Sequence, residues 1–354
     1  MKSFIYKYIK QPAKRWIFSI LDKLIQLHKA DNDKDVMLII RLDVMGDMVM
    51  ALPFLQWLRT LPEYQFKKII FCGNAVTKPL LDCVERPFYD TAIWINRTKF
   101  NNSIIYRWQI LRTIRSLNAA TLLHPVHTWH DLNHSAISSS GASVKIAFQH
   151  VGEHISVTKV NKMAADYTRV INTGNEFLFE YYRNKEGFKL LTGIVPNVSD
   201  SRWAYQTKPP SMAVKYPLML IAPGAGSKFR TWPIENIIKC AKYISKQTGI
   251  TCYFIGAGSD AQYNNTINSS LGEQNNLIGK LSLNETMYLM QKAKILLGNE
   301  SGPVHLMLAL GGQTLCISNG NHYGRWHPYP KHFNYSAAYL YPPQFNETPP
   351  EVLT

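Results

Sequence analysis

Short apolar runs alternate with helix-like stretches along most of this 354-residue chain. Each run is long enough for a strand and too short for a buried helix, and such alternation predicts parallel strands joined by crossover helices. The predicted strands of the first half are 36–41, 68–72, 92–95, 121–126 and 144–148. Those of the second half are 218–222, 251–255, 276–278, 294–297 and 314–318. The pattern therefore predicts an α/β fold with doubly wound sheets.

A proline-rich segment divides the chain into two parts, each large enough to bury a core of its own. The segment 201–217 contains Pro209, Pro210 and Pro217, a composition that is typical of a linker. The predicted organisation is a basic N-terminal extension over 1–34, a Rossmann-like domain over 35–200, the linker, a second Rossmann-like domain over 218–330 and a C-terminal tail over 331–354.

One strand-to-helix connection in the second half has the features of an anion site. In the run 298–306, Ser301 is the candidate N-cap and Pro303 falls in the first helical turn. Free backbone N–H groups and the positive end of the helix dipole would face a phosphate. Glu300 and His305 are placed to take sugar hydroxyls. An ordinary capped connection is the alternative interpretation of this run.

Four further segments carry an apolar run beside a glycine. They are 36–53 with its Gly-Asp turn, 220–233 with a glycine loop and basic residues, 253–260 and 278–283. Taken in this order with 298–306, they resemble glycosyltransferase family 9, the bacterial ADP-heptose:lipopolysaccharide heptosyltransferases. The resemblance runs from about residue 36 to about residue 328 and is strongest between 218 and 310.

The resemblance implies the GT-B architecture, in which two Rossmann-like domains face each other across a cleft and ligands sit at the carboxyl ends of the strands. It implies an inverting, metal-independent glycosyltransferase that moves heptose from ADP-L-glycero-β-D-manno-heptose to the inner core of lipopolysaccharide. No cofactor is implied besides this donor substrate. The same fold acting on another nucleotide sugar, or on a protein acceptor, is the alternative within enzymes.

Asp47 matches the aspartate of the family's Gly-Asp turn, which serves there as the general base. An inverting transfer needs a carboxylate to take the proton from the acceptor hydroxyl, so the resemblance makes Asp47 the predicted catalytic residue. A helix N-cap after Gly46 is the alternative role. Asp43 is expected to orient Arg41 or the loop, and Arg41 is assigned to the acceptor side.

The loop after strand 218–222 matches the family's contact with the donor phosphates. Arg230 stands where the family usually has lysine, and a cation there would neutralise the leaving diphosphate. Lys228 is close enough to share that role, with an ordinary surface lysine as the alternative. Glu300 replaces the usual aspartate, so its longer arm is expected to alter contact with the sugar. The predicted donor-binding residues are Ala225, Gly226, Ser227, Lys228, Arg230, Gly258, Asp260, Leu281, Glu300, Ser301, Gly302 and His305.

A histidine- and tryptophan-rich loop is predicted to face the acceptor. The segment 140–148, which follows it, is similar to a Ser-Gly-Ala stretch of the family's acceptor domain, and Trp129 and His130 are therefore assigned to acceptor binding. Stacking and hydrogen bonding to sugars suit such side chains. The loop region also raises the possibility of a metal site, but no cysteine or glutamate completes a recognisable ligand set, so no metal is predicted. The histidines concerned are His124, His127, His130 and His134.

The chain is strongly basic, with 39 Lys and Arg against 24 Asp and Glu and a formal net charge of +15. An anionic partner follows from this balance. Near the N-terminus, apolar residues recur at helical spacing beside basic ones, and charges interrupt the run well before it could span a bilayer. These apolar residues are Ile5, Ile9, Pro12, Trp16, Ile20, Leu24 and Leu27.

This N-terminal pattern predicts an amphipathic helix on the anionic inner leaflet, which would make the protein peripheral on the cytoplasmic face of the inner membrane. An extension helix packed on the first domain is the alternative. The five cysteines include no CxxC pair and are typical of reduced core residues in the cytosol. A basic protein that binds membrane or nucleic acid is the non-enzyme alternative, although the sequence carries no nucleic-acid module and nucleic acid is not an expected partner.

Overall fold

Two parallel β-sheets form the framework of the protein. The computed structural model describes residues 11–152, 155–174, 179–333, 335–343 and 345. The strands of the first sheet are β1 (Asp33–Arg41), β2 (Lys68–Asn74), β3 (Thr91–Ile95), β4 (Ala119–His124), β5 (Val144–Phe148) and β6 (Arg169–Ile171). Those of the second sheet are β7 (Leu218–Ala222), β8 (Thr251–Phe254), β9 (Ile295–Asn299), β10 (Thr314–Ile317) and β11 (Ala337–Leu340).

The strand orders place a reversal near the middle of each sheet. The first sheet runs β3-β2-β1-β4-β5-β6 and the second runs β11-β10-β9-β7-β8. The order in which the chain adds strands to the sheet reverses between β1 and β4 and between β7 and β9. A doubly wound sheet opens a crevice at such a point. The segments that follow these four central strands carry Asp47, Trp129, Arg230 and Glu300.

Helices follow the strands on both halves of the chain. In the first half they are α1 (Gln11–Gln26), α2 (Met45–Thr60), α3 (Pro62–Gln65), α4 (Lys78–Leu81), α5 (Arg97–Asn102), α6 (Ile104–Ser116), α7 (Asp131–Ser139), α8 (Val157–Ala164) and α9 (Glu180–Thr192). In the second half they are α10 (Ile234–Thr248), α11 (Asn264–Leu271), α12 (Leu283–Lys292) and α13 (Gly302–Ala309). Among these described helices, none has the length and apolar character needed to cross a bilayer.

Several strand predictions match the structure closely. Strands β5 and β7 match their predicted bounds, and β1 begins three residues before the predicted 36–41. The predicted strand 276–278 is wrong, since Asn276 makes only an isolated bridge to Phe254. Strands β6 and β11 were not predicted, because they are three and four residues long and largely exposed. Strand β11 lies in the predicted C-terminal tail and extends the second sheet.

One apolar cluster runs from the first sheet to the second. Phe54 of α2 packs on α9, with ring centroids 4.9 Å from Tyr181 and 5.8 Å from Phe188. Tyr181 in turn lies 4.8 Å from Phe333, which follows the second sheet's β10. Because both halves share this buried cluster, the first turns of α2 and α13 are held against each other.

Helix α1 packs on the first sheet's helices through one face only. Phe18 and Ile25 are buried, and Arg107 of α6 pairs with Asp22 at 2.5 Å. On the remaining surface Trp16 is 68% exposed and Leu27 is 79% exposed. The helix therefore packs on the first domain, which was the alternative interpretation, and it leaves apolar side chains facing solvent. The first part of the predicted amphipathic segment, with Ile5 and Ile9, lies outside the described residues.

Candidate active site

Asp47 lies in the first turn of α2, directly after the end of β1. The N-cap position is Val44, so the alternative role of Asp47 as an N-cap is wrong. Its side chain is partly exposed. This position places one carboxylate at the point where the first sheet reverses, where a ligand in the crevice can reach it.

Arg41 holds the turn that carries Asp47. Its guanidinium lies 2.8 Å from Asp43 Oδ2 and donates to the backbone oxygens of Pro125 and Asp47, at 2.5 and 3.2 Å. Asp43 therefore orients Arg41, in agreement with the expectation. The side chain of Arg41 is only 1% exposed, which does not fit its assignment as an acceptor ligand. We correct that assignment: Arg41 joins the loops after β1 and β4.

The environment of Asp47 favours its protonated form near neutral pH. Burial, together with the nearby carboxylates Asp43 and Glu180, raises the pKa of Asp47 to about 8 against the opposing effect of Arg41 and Arg325. A general base is most effective when its pKa lies near the working pH. The site therefore holds a carboxylate that exchanges a proton close to neutrality.

Arg325 reaches from the second half of the chain to the first. Its Nε lies 3.0 Å from Glu180 Oε2, and its Nη2 donates to Thr128 Oγ1 at 2.8 Å. The backbone N–H of Glu180 also donates to the Arg325 oxygen, at 2.8 Å. Burial favours a higher pKa for Glu180, but Arg325, with His127 and Arg183, lowers it overall. Sequence reasoning missed both residues, because they lie 145 positions apart.

Glu300 is enclosed by the loop that follows β10. Its Oε2 accepts from Ser318 Oγ at 2.7 Å, and its Oε1 lies 2.5 Å from His322 Nδ1 and 3.0 Å from His327 Nε2. Burial opposes ionisation, but these contacts outweigh it and lower the pKa of Glu300. The residue is only 2% exposed, which does not fit the expected contact with a sugar. We correct that expectation: the longer arm reaches into the loop of residues 318–327.

Arg230 spans the loops after β7 and β9. Its Nε donates to Ser227 Oγ at 2.9 Å, and its Nη1 donates to the Glu300 backbone oxygen at 3.4 Å. Gly226 permits this path, because a Cβ there would lie 2.7 Å from Arg230 Nη2. Lys228 is exposed beside it, and Ala225 is partly exposed. The small residues and the two cations thus form one accessible loop, and their contact with the donor phosphates stays a prediction.

Asp260 fills the space between the loops after β7 and β8. Its Oδ2 accepts from the Ala257 backbone N–H at 3.0 Å. A Cβ at Gly224 or Gly256 would lie 2.2 or 2.6 Å from its carboxylate, so a side chain at either position would displace that carboxylate. Gly258 is exposed and lies beside Gly279. A Cβ added at Gly279 would be 3.7 Å from the Gly258 Cα. Leu281 is partly buried and packs against the shared apolar cluster.

The first turn of α13 faces the first turn of α2. A Cβ at Gly46 would lie 2.9 Å from His305 Cδ2, and a Cβ at Gly302 would lie 3.4 Å from Met45 Cβ. His305 Nδ1 lies 2.9 Å from the Tyr329 hydroxyl, and burial lowers the pKa of His305 to about 3, so its ring is neutral. Two helix N-termini therefore meet beside Asp47, and their free N–H groups favour an anion there.

Ser301 occupies the N-cap position of α13 without capping it. Its Oγ donates to the Asn299 backbone oxygen at 3.0 Å and makes no side-chain cap hydrogen bond. This corrects the prediction that the Ser301 side chain caps the helix. Pro303 lies in the first turn, as expected. The N–H groups of this turn are therefore not occupied by the Ser301 hydroxyl.

Trp129 does not face the cleft. Its side chain is buried, and its Nε1 donates to the backbone oxygens of Val126 and Phe148 at 3.2 and 3.0 Å. We therefore correct its assignment as an acceptor ligand: the indole ties the loop after β4 to the end of β5. His130 is partly exposed at the start of α7 and remains a candidate for acceptor binding.

The other histidines of this region have separate partners. His124 Nδ1 lies 2.7 Å from the Tyr167 hydroxyl, and His134 Nε2 lies 3.3 Å from Asp166 Oδ2. Within the described ranges, no group of three or more His, Cys, Asp or Glu side chains is arranged to hold a metal ion.

Two Rossmann-like sheets that meet at a cleft, each with a helix N-terminus at its point of reversal, define the GT-B class of glycosyltransferases. The sequence model of glycosyltransferase family 9 (heptosyltransferase) matches residues 114–351, more than half of the chain, and the chain belongs to this family. No curated protein matches the sequence.

Several solved structures share the fold. The glycosyl transferase family 9 protein from Veillonella parvula DSM 2008 superposes with a TM-score of 0.67 at 16% identity, over 88% of this chain and 87% of that one. The E. coli ADP-heptose lps heptosyltransferase II gives 0.62 at 15% identity, over 90% and 96%. The E. coli heptosyltransferase WaaC with ADP-2-deoxy-2-fluoro heptose gives 0.63 at 14% identity, over 86% and 92%. The enzyme is a glycosyltransferase of this family.

Proposed function

We propose that this enzyme transfers heptose from ADP-L-glycero-β-D-manno-heptose to the inner core of lipopolysaccharide, with inversion at the anomeric carbon and without a metal ion. The observation that carries the proposal is the meeting of the first turns of α2 and α13, which brings the Asp47 turn beside the donor-side loop. The similarity to heptosyltransferase structures supports the choice of donor.

In the proposed reaction, Asp47 takes the proton of an acceptor hydroxyl while that oxygen attacks the anomeric carbon. The bond from this carbon to the diphosphate oxygen breaks, and the electron pair leaves with ADP. Arg230 and the N–H groups that begin α13 stabilise the added charge on the leaving group, so no proton transfer to it is needed. A pKa of about 8 suits Asp47 for this proton transfer near neutral pH.

The test is release of ADP from ADP-heptose by the full chain, measured with and without heptose-deficient lipopolysaccharide core. Acceptor-dependent release that disappears in Asp47→Ala supports both the reaction and its base. Asp82→Ala is a matched control, because Asp82 is an exposed residue that pairs with Lys78 at the surface. Release from a different nucleotide sugar, or only with a protein acceptor, would replace the proposed substrates.

We further propose that α1 lies on an anionic membrane surface, which would place the enzyme at the cytoplasmic face of the inner membrane. The helix packs through Phe18 and Ile25 and leaves an apolar row exposed on its other side. The row consists of Trp16, Ile17, Ile20, Leu24 and Leu27. Lys14 and Lys23 add positive charge to the helix, and a basic amphipathic helix of this kind binds anionic lipid.

A further inference from the structure

We infer that His322 binds the diphosphate of the donor beside Arg230, and that Glu300 positions His322 instead of contacting the sugar. This inference rests on the proposed donor class and assigns a ligand that the sequence did not indicate. It is carried by the side-chain cluster that joins the start of α13 to the loop of residues 318–327.

The carboxylate of Glu300 is fully engaged within the protein. One oxygen accepts from Ser318 Oγ at 2.7 Å. The other lies 2.5 Å from His322 Nδ1 and 3.0 Å from His327 Nε2. With 2% of the residue exposed, a sugar hydroxyl cannot approach either oxygen without displacing these contacts. The negative charge of Glu300 therefore acts on its neighbours and not directly on the donor.

His322 differs from Glu300 in being accessible. Its side chain is 31% exposed, and its Nδ1 is the atom that faces Glu300. A carboxylate at this distance holds the proton on Nδ1 and fixes the plane of the ring. The second ring nitrogen, Nε2, makes no hydrogen bond to any residue in the described part of the chain. A positioned ring with one uncommitted nitrogen can bind a ligand, and in the imidazolium form this Nε2 donates to an anionic oxygen.

Arg230 lies at the same place. Its Nη1 is 3.4 Å from His322 Nδ1 and 3.4 Å from the Glu300 backbone oxygen. Arg230 belongs to the loop after β7, whereas His322 belongs to the loop after β10, so the two approach one point from different directions. Beside them, α13 begins at Gly302 with N–H groups that its N-cap side chain leaves unoccupied.

A diphosphate fits this arrangement better than a single phosphate does. It carries charge on two phosphorus centres, and it can accept from the guanidinium, from the helix N-terminus and from the Nε2–H of His322 in its imidazolium form. Glu300 would oppose an anion by its charge alone. Glu300 therefore favours diphosphate binding by orienting His322. This positioning role and a direct contact with the sugar predict different effects when Glu300 is replaced.

The test measures binding of ADP, inorganic pyrophosphate and adenosine to the full chain by calorimetry. His322→Ala is expected to weaken binding of ADP and pyrophosphate about tenfold, since it removes a hydrogen bond to a charged group, and to leave adenosine binding unchanged. His332→Ala is the matched control, because the ring of His332 lies 2.6 Å from the Tyr182 hydroxyl and is not part of the cluster. Unchanged pyrophosphate affinity in His322→Ala would overturn the inference.

Glu300→Gln separates positioning from direct contact. Positioning predicts weaker binding of ADP, pyrophosphate and ADP-heptose alike, although the variant removes a negative charge. Stronger pyrophosphate binding would overturn the inference, as would a loss confined to ADP-heptose. Thermal unfolding of each variant, compared with the wild type, identifies any general loss of structure. A wild-type enzyme that binds pyrophosphate but transfers no heptose would contradict the proposed function and leave the diphosphate site standing.

Discussion

The two halves of this enzyme each place a carboxylate near a helix N-terminus at the point where the sheet reverses, and they treat it in opposite ways. Asp47 has Asp43 and Glu180 nearby, and with burial these charges raise its pKa to about 8. Glu300 has His322 and His327 as neighbours, and its pKa is lowered despite burial. At equivalent positions of two similar folds, Asp47 can therefore exchange a proton, whereas Glu300 keeps its charge. The difference arises because their neighbours differ.

The sharpest way to break this comparison is to neutralise Asp47. We expect Asp47→Asn to lower the rate of transfer by about 10²–10⁴-fold, because it removes the proton acceptor and keeps the size of the side chain. ADP binding should be nearly unchanged, since Asp47 is assigned to the acceptor. Single-turnover transfer and calorimetry with ADP provide the two measurements. Transfer at the wild-type rate would refute the role of Asp47.

Removing Arg230 tests the donor side. We expect Arg230→Ala to reduce kcat by about 10²–10³-fold, because one group that stabilises charge on the leaving diphosphate is lost. Lys228→Ala should have a smaller effect, since Lys228 is exposed and Arg230 is held by Ser227 and the Glu300 backbone. Steady-state assays of ADP release distinguish the two. Equal losses in both variants would show that the cations share the role.

A methyl group at Gly46 tests the contact between the two halves. The new Cβ would lie 2.9 Å from His305 Cδ2, and such overpacking typically costs about 1–3 kcal/mol of stability. Gly46→Ala should therefore unfold at lower urea concentration and turn over more slowly. For stability alone, Gly258→Ala is a suitable control, because its Cβ meets no atom within 4 Å. Equal stability of both variants would mean that the halves do not meet closely at this point.

The smallest expected effect on catalysis comes from α1. Trp16→Ser combined with Leu27→Ser should weaken binding to vesicles containing phosphatidylglycerol at least about tenfold, because each buried apolar side chain contributes about 1.5–3 kcal/mol. Turnover on a detergent-free soluble acceptor fragment should not change. Tyr243→Ser is the control, since Tyr243 is an equally exposed aromatic residue, at 67%, on α10 of the other half. The measurement is cosedimentation with vesicles. Unaltered binding by the Trp16→Ser, Leu27→Ser variant would rule out α1 as the membrane contact.

The sequence predicts best what depends on local pattern. Strands β5 and β7 have their predicted bounds, because clear breaks in the sequence flank each of them on both sides. The exposed edge strands β6 and β11 lack that pattern and were missed. The loop that carries Ala225 and Arg230 follows its strand as the family motif implies, since its form depends on consecutive residues.

Roles that depend on tertiary packing could not be assigned from the chain alone. Trp129 and Arg41 carry chemistry suited to ligands, but their polar atoms are used by backbone oxygens inside the first half. Glu180 and Arg325 meet only because the aromatic cluster holds α9 against the loop after β10. For Glu300, the length of the side chain was informative, but its histidine partners lie more than twenty residues further along the chain.

The pH dependence of single-turnover transfer tests the contrast between the two carboxylates most directly. Since the ionised form of Asp47 accepts the proton, a pKa of about 8 predicts a rate that rises with pH and levels off above that value. Glu180→Gln removes a neighbouring negative charge and should move the rise to lower pH, whereas His332→Ala should leave it in place. A rise that is complete below pH 5, or one that Glu180→Gln does not move, would contradict the account.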